Sequence, residues 1–341
     1  MSGEWGGAVV GLLQNCGCHW PAKSASVEHA LPLHTGRLRL PVPPGRKRKA
    51  EYGGRAEGDL IVAALVLILG TLLPAASPDL LRLPADEQAV VKAQADWAAS
   101  LGVPVELTNS LGMKLVLIPP GQFIMGPNGS THRVRLAKPY YLATTEVTLG
   151  QYRRFRAEHR VERADEAFNA DDRPAAMVSW DDAQAFCAWL SAQPEEVQAV
   201  RAYALPTNAQ WEWAARAGTT TARHFGDDVK EADAKGQEAY SVFNHTYTPN
   251  PKHESAGRGR QPVAQLKPNA WGLYDMLGNV WEWCDDRHIN EATGETRDPV
   301  MRGGSWRSGA FHCTSVAHDP AATGTKADNI GFRILLRVAA K

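Results

Sequence analysis

Hydrophobic periodicity stops at Gly218, yet residues 219–341 do not read as a disordered tail. They are rich in Gly, Asn, Asp and Trp, and long apolar runs are few. Disordered segments are poor in aromatics because they bury no core. Eight of the chain's 11 tryptophans lie from Trp180 onward, four of them in this region at 271, 281, 283 and 306. Such a region has to fold as coil held by side-chain packing, by a metal, or by both. Long ordered loops of this kind usually carry function. Most of the tryptophans are expected in the core, where each brings a large contact area and an N–H that needs a partner. Lys+Arg and Asp+Glu number 37 each. So even a balance argues against nucleic acid as the partner, since phosphate binding leaves a basic footprint.

Ahead of Gly218 the pattern is regular. Residues 113–118 read as a strand ended by Pro119-Pro120-Gly121, and 123–126 as another ended by Pro127-Asn128-Gly129. Residues 132–136 alternate, and Tyr140-Tyr141-Leu142 follows. Three capping boxes then predict helix starts at Thr148, Ser179 and Thr207, with Gln151, Asp182 and Gln210 three residues on. In the second helix Ala183, Phe186, Cys187 and Leu190 fall on one stripe. Gly218 is the expected stop of the third. Residues 332–338 predict a last strand.

The first hundred residues are of a different kind. Residues 1–58 are a low-complexity extension, expected to be disordered, with a Pro/Gly/Arg-rich stretch from Pro41 to Gly54. The apolar run 60–73 is too short for a comfortable span of about 20 residues. It suits a signal-peptide h-region, with small residues at 74–77 after it and basic residues at 46–49 before it. Two explanations remain for residues 59–77: a signal peptide read from a downstream start, or an uncleaved anchor with a basic cytoplasmic flank. Both imply export to the periplasm, the exterior or a membrane-anchored position. This run is the only expected membrane contact. Residues 78–104 read as a linker with a short helix, and the domain proper as 105–341.

The five cysteines do not form a disulfide scaffold. Cys16-Gly17-Cys18 has no second pair with which to make a zinc site.

The series of phrases is more specific than any single element. It comprises the run 113–126 and Thr145-Glu146-Val147-Thr148, then Val178-Ser179-Trp180-Asp181-Asp182-Ala183. Leu205-Pro206-Thr207, Trp211-Glu212-Trp213 and the stretch N-A-W-G-L-Y-D-M-L-G-N-V-W-E-W from Asn269 to Trp283 come next. Arg302-Gly303-Gly304-Ser305-Trp306 and Gly331-Phe332-Arg333 close it. In order and spacing, residues 105–338 resemble the formylglycine-generating enzyme, or sulfatase-modifying factor, family. The resemblance implies an α+β fold, that family's variant of the C-type-lectin-like fold, with little regular secondary structure and a calcium-stabilised core.

It also implies sites. The calcium ligands would be the side chains of Asp275 and Glu282 and the backbone carbonyls of Gly278 and Val280. Carboxylates mixed with carbonyls suit a hard cation. Without calcium, Asp275 would cap its turn and Glu282 would make a salt bridge. The family's second calcium site would draw on residues around 240–245 and 255–257, where no acidic pair stands. In the resembled enzymes two cysteines bind Cu(I), which takes up a substrate cysteine and activates O₂, and the product is a formylglycine in a sulfatase. Here Cys313 falls on the second position and Ser308 on the first. A neutral hydroxyl is a poor ligand for a soft ion, so copper binding is not expected. Ser305, Ser308 and Cys313 stand as the candidate catalytic residues. His312 is not expected to replace the thiol. Cys187 matches a cysteine whose partner position is Ile334 here, which implies a free core thiol. A Cys284–Cys313 bridge is left open.

The resemblance favours a family member degenerate for cysteine oxidation that is kept as a module binding a protein or peptide, such as a sulfatase-like chain. One alternative is an active oxidase with an altered metal site. Another is a relative of the iron-dependent sulfoxide synthases. That one is disfavoured because His19, His29 and His34 lie in no helical iron motif.

Overall fold

The computed structural model describes residues 77–127, 130–161, 166–227, 259–289 and 296–338. The apolar run 60–73, Cys16, Cys18 and the segments around 240–245 and 255–257 lie outside these residues. In chain order the elements are β1 (Leu81–Arg82), α1 (Glu87–Leu101), β2 (Glu106–Thr108), β3 (Lys114–Ile118), β4 (Gly121–Met125), β5 (His132–Leu136) and β6 (Tyr140–Ala143). Then come α2 (Leu149–Arg153), α3 (Trp180–Ser191), α4 (Pro194–Gln198), β7 (Tyr203–Ala204) and α5 (Asn208–Arg216). The last are β8 (Trp281–Ile289), β9 (Thr296–Arg302), β10 (His318–Pro320), β11 (Ile330–Gly331) and β12 (Leu335–Arg337).

The frame is a five-stranded sheet in the order β2-β3-β6-β12-β7, with a hydrophobic core on each face. Neighbours along a strand point to opposite faces. Leu115, Leu117, Tyr141 and Leu336 enter one core, whereas Val116, Ile118, Tyr140 and Leu335 enter the other. Burial on both faces explains why β3 reads as an unbroken apolar run, since alternation marks a half-exposed strand.

On the first face α3 lays down Ala183, Phe186, Cys187 and Leu190, as its stripe predicts. Tyr152 stacks on Phe186 at 5.6 Å, and both are fully buried. On the second face α5 buries Trp211 and Trp213. Both indoles find partners, as buried N–H groups must: Trp213 donates to the carbonyl of Pro119, and Trp211 to Glu282. All three predicted capping boxes are formed. Helix α1 packs Val90 and Trp97 against this frame, and its Gln94 donates to the carbonyl of Leu117.

Two elements differ from the sequence reading. Residues 281–302, read as coil, contain the antiparallel pair β8–β9. Their alternation was hidden because Glu282, Trp283 and Cys284 are all buried, a charged residue among them. The expected strand 332–338 is split. Ile330–Gly331 pairs in parallel with β8, and Leu335–Arg337 pairs with β6 and β7. Phe332 to Ile334 cross between the two sheets and aim Arg333 inward. Cys187, Cys284 and Cys313 are buried and unbridged, so no Cys284–Cys313 disulfide forms. Among the described residues, no helix is long and apolar enough to cross a membrane.

Candidate functional site

The candidate residues lie on two turns that are tied to each other. The first, 275–280, carries positive φ at Asp275 (55°), Gly278 (92°) and Asn279 (52°). Asn279 is fully buried, and its side chain pairs with the backbone of Gln261 through both of its polar atoms. The second turn, 303–308, opens on Gly303 and Gly304, also at positive φ. A Cβ on Gly304 would stand 2.7 Å from the sulfur of Cys313, so only glycine lets that thiol in. The N–H of Gly278 donates to the carbonyl of Gly303, and the N–H of Trp306 to that of Asn279. Whatever stiffens one turn therefore holds the other.

Three carboxyl groups and one guanidinium meet beneath the first turn. Glu282 is bound by Arg333 at 2.6 and 2.7 Å and by the indole of Trp211 at 2.7 Å. Arg333 spends its remaining donors on the carbonyls of Ala143, Thr144 and Tyr274. Asp275 accepts from the N–H of Ala264 at 2.7 Å. The salt bridge expected in the absence of calcium is thus present, and Asp275 bonds to the loop at Ala264 instead of capping its own turn. They leave charge over. Burial pushes the Asp275 carboxyl up to about 6, helped by the neighbouring Glu282 and opposed by the Ala264 N–H and Arg333.

Glu146 is the surprise. It is fully buried, and neither of its oxygens has a hydrogen-bond partner among the described residues. Burial and the charges of Asp275 and Glu282 push its carboxyl far above the usual range, with only Arg333 and its own backbone opposing. An orphaned buried carboxyl is costly. Among the described residues, no three His, Cys, Asp or Glu side chains converge on one metal position. Any cation held there would need backbone carbonyls to complete its shell. A cavity of about 440 Å³ opens beside this cluster, lined by Thr145 and Tyr274, the chain neighbours of Glu146 and Asp275.

The second turn brings the other candidates together. The N–H of Ser305 donates to the Ser308 hydroxyl at 3.0 Å, and the two hydroxyls lie 3.3 Å apart. Asn329 also donates to the Ser305 hydroxyl, at 3.1 Å. The Cys313 sulfur stands against Gly304, the residue before Ser305. Positions 308 and 313 therefore both meet the Gly304–Ser305 segment. Burial raises the thiol to about 12, and Arg223 and the Ser305 N–H pull it down only in part. It is a protonated thiol at neutral pH. His312 sits in a short 3-10 turn, Ala310–His312, and is exposed. Its neighbour Cys313 is buried, so the two side chains lie in different surroundings. Ser305, Ser308 and Cys313 do not line the 440 Å³ cavity.

Sequence reasoning missed two residues. Glu146 stands in the Thr-Glu-Val-Thr phrase, among threonines, and nothing in that stretch signals its burial. Arg223, buried and facing Cys313, gave no signal at all.

The comparisons with known proteins agree with this architecture. The model of the sulfatase-modifying factor enzyme 1-like domain matches residues 103–338. The formylglycine-generating enzyme of Bos taurus is 30% identical over 176 residues, covering 48% of this chain and 43% of that protein. That of Thermomonospora curvata is 31% identical over 180 residues, covering 48% and 55%. The inactive C-alpha-formylglycine-generating enzyme 2 of Bos taurus is 33% identical over 166 residues, covering 47% and 49%. The match thus spans about half the length of these relatives. Among solved structures, Treponema denticola variable protein 1 is similar with a TM-score of 0.56 at 24% identity, covering 69% of this chain and all of that one. PvdO from Pseudomonas aeruginosa is similar with a TM-score of 0.54 at 24% identity, covering 68% and 98%. These structures share the fold, the formylglycine-generating-enzyme variant of the C-type-lectin-like fold. The chain belongs to the sulfatase-modifying factor enzyme 1-like family, the family of the formylglycine-generating enzymes.

Proposed function

We propose that this protein has lost copper-dependent oxidation of a protein cysteine and serves as an exported, calcium-stabilised binding module for a protein partner. One observation carries the reading. Ser308 and Cys313 both stand at the Gly304–Ser305 segment, so the two positions stay together while one of the two thiols is gone. A hydroxyl and a buried protonated thiol do not make a Cu(I) site, which wants two thiolates. The inactive bovine relative at 33% identity is in keeping with this.

The calcium part rests on Glu146. Three carboxyls face one guanidinium, and one of the three has no partner. A divalent cation held by Asp275, Glu282 and the carbonyls of Gly278 and Val280 would offset that excess. It would supply fixed positive charge that locks the turn 275–280, and through it the Gly303–Ser308 turn. Export rests on the apolar run 60–73 and the small residues after it.

A second reading keeps an oxidase with an altered metal site. The charge of Arg223 beside Cys313 favours it, because a guanidinium stabilises a thiolate. The two readings separate in a product assay. The full chain, supplied with Cu(I), O₂ and a cysteine peptide of sulfatase type, is expected to give no formylglycine by mass spectrometry above a copper-only control. Stoichiometric formylglycine would establish the oxidase and end the binding-module reading.

A further inference from the structure

We propose that the outer edge of β5 binds an extended acidic segment of a protein partner by strand addition. The inference rests on the binding-module reading for there being a partner, but not on the state of the copper site.

Strand edges invite unwanted pairing, and proteins blunt them with short strands, proline or charge. Among the described residues the sheet edges are mostly short. β1, β7 and β11 have two residues each, β2 has three, and β10 has three and ends in Pro320. β5 is different. It has five residues, contains no proline, and ends the sheet β1-β4-β5. No described group hydrogen-bonds to its outer side. Its Val134 and Leu136 pack inward on the second core, which anchors the strand.

The exposed face of this sheet has one sign. Arg133 and Arg135 point outward from β5, and Arg82 lies across Gln122 from Arg135. None of the three arginines has an ion-pair partner among the described residues. Ile124, opposite Arg133, is 51% exposed and gives the face an apolar spot. Charge of one sign repels neutral aggregation and basic strands, but it admits a strand of opposite charge. Strand addition supplies affinity through the backbone, and alternate side chains supply specificity. The occupant that fits is an extended segment with acidic residues at every second position and an apolar residue near Ile124. Cross-strand pairs of opposite charge would then form.

The test uses the full chain and a short capped peptide alternating glutamate and valine, with its lysine–valine counterpart as control. Fluorescence anisotropy is expected to show salt-sensitive binding of the acidic peptide only. R133E/R135E should weaken it roughly tenfold or more. Both changes are at exposed positions, and a thermal melt reports whether the variant is folded. Hydrogen exchange at residues 132–136 should slow when the peptide is bound, which a loose electrostatic contact would not cause. The proposal is overturned if the acidic peptide does not bind, or if exchange in β5 is unchanged. It also fails if phosphatidylserine vesicles bind in an R133E/R135E-sensitive way that the peptide cannot displace. Copper titration is independent of all these outcomes, so failure here and failure of the degenerate-enzyme reading are distinguishable.

Discussion

Arg333→Met is expected to cost the domain roughly 3–5 kcal/mol, the range for removing one partner of a buried ion pair. At about 2–4 °C per kcal/mol for a domain of this size, Tm should fall by roughly 6–20 °C. The size follows from what the guanidinium holds. It pairs with Glu282 through two nitrogens and reaches the carbonyls of Ala143, Thr144 and Tyr274, which belong to β6, the segment after it and the loop ahead of the turn 275–280. Methionine would leave Glu282 with only the Trp211 indole as a partner, beside two further buried acids, Glu146 and Asp275. Adding Glu282→Gln removes the stranded charge and should recover part of the loss. Urea unfolding of the two variants checks this. A loss below about 1 kcal/mol for Arg333→Met would mean that the pair is hydrated, contrary to its burial.

Calcium should stabilise the chelator-treated protein by an amount set by mass action, about 2.7 kcal/mol at one hundred times the dissociation constant. Glu146→Leu separates the cation from mere packing. It replaces an orphaned carboxyl with an apolar side chain, so the calcium-free protein should gain stability. The same change removes a carboxyl that a nearby cation would help to ionise, so the calcium-dependent shift should shrink. Asp275→Asn should abolish the shift. A thermal melt with and without calcium reads all three. A wild-type melt indifferent to millimolar calcium would sink the calcium site, and Glu146 would then stand as a buried protonated acid.

The sequence made much of this legible, and for physical reasons. Capping boxes are local, so Thr148, Ser179 and Thr207 could be read directly and are formed. The stripe of α3 is a single buried face, and it too was readable. β8 was not, because Glu282 is buried between Trp281 and Trp283 and breaks any alternation of polar and apolar residues. Its partner Arg333 lies 51 residues away. No local pattern announces an ion pair of that reach, and the same holds for Arg223 beside Cys313. The pairing of Glu282 with Arg333 also changes the ligand reading. Glu282 carries a resident counter-ion, and the uncompensated acid is Glu146, a residue to which the sequence assigned no role. Ser308 and Cys313 were identified as a pair from the resemblance, but only the fold shows that both meet the Gly304–Ser305 segment.

Titration of the purified protein with Cu(I) against a competing chelator, with Ser308→Cys beside it, tests the central claim most directly. The natural protein is expected to bind weakly, because it offers one buried thiol and one hydroxyl. Ser308→Cys should bind one Cu(I) tightly, because both sulfurs would then stand at the Gly304–Ser305 segment. Tight one-to-one binding by the natural protein would contradict the account and restore oxidase chemistry to first place.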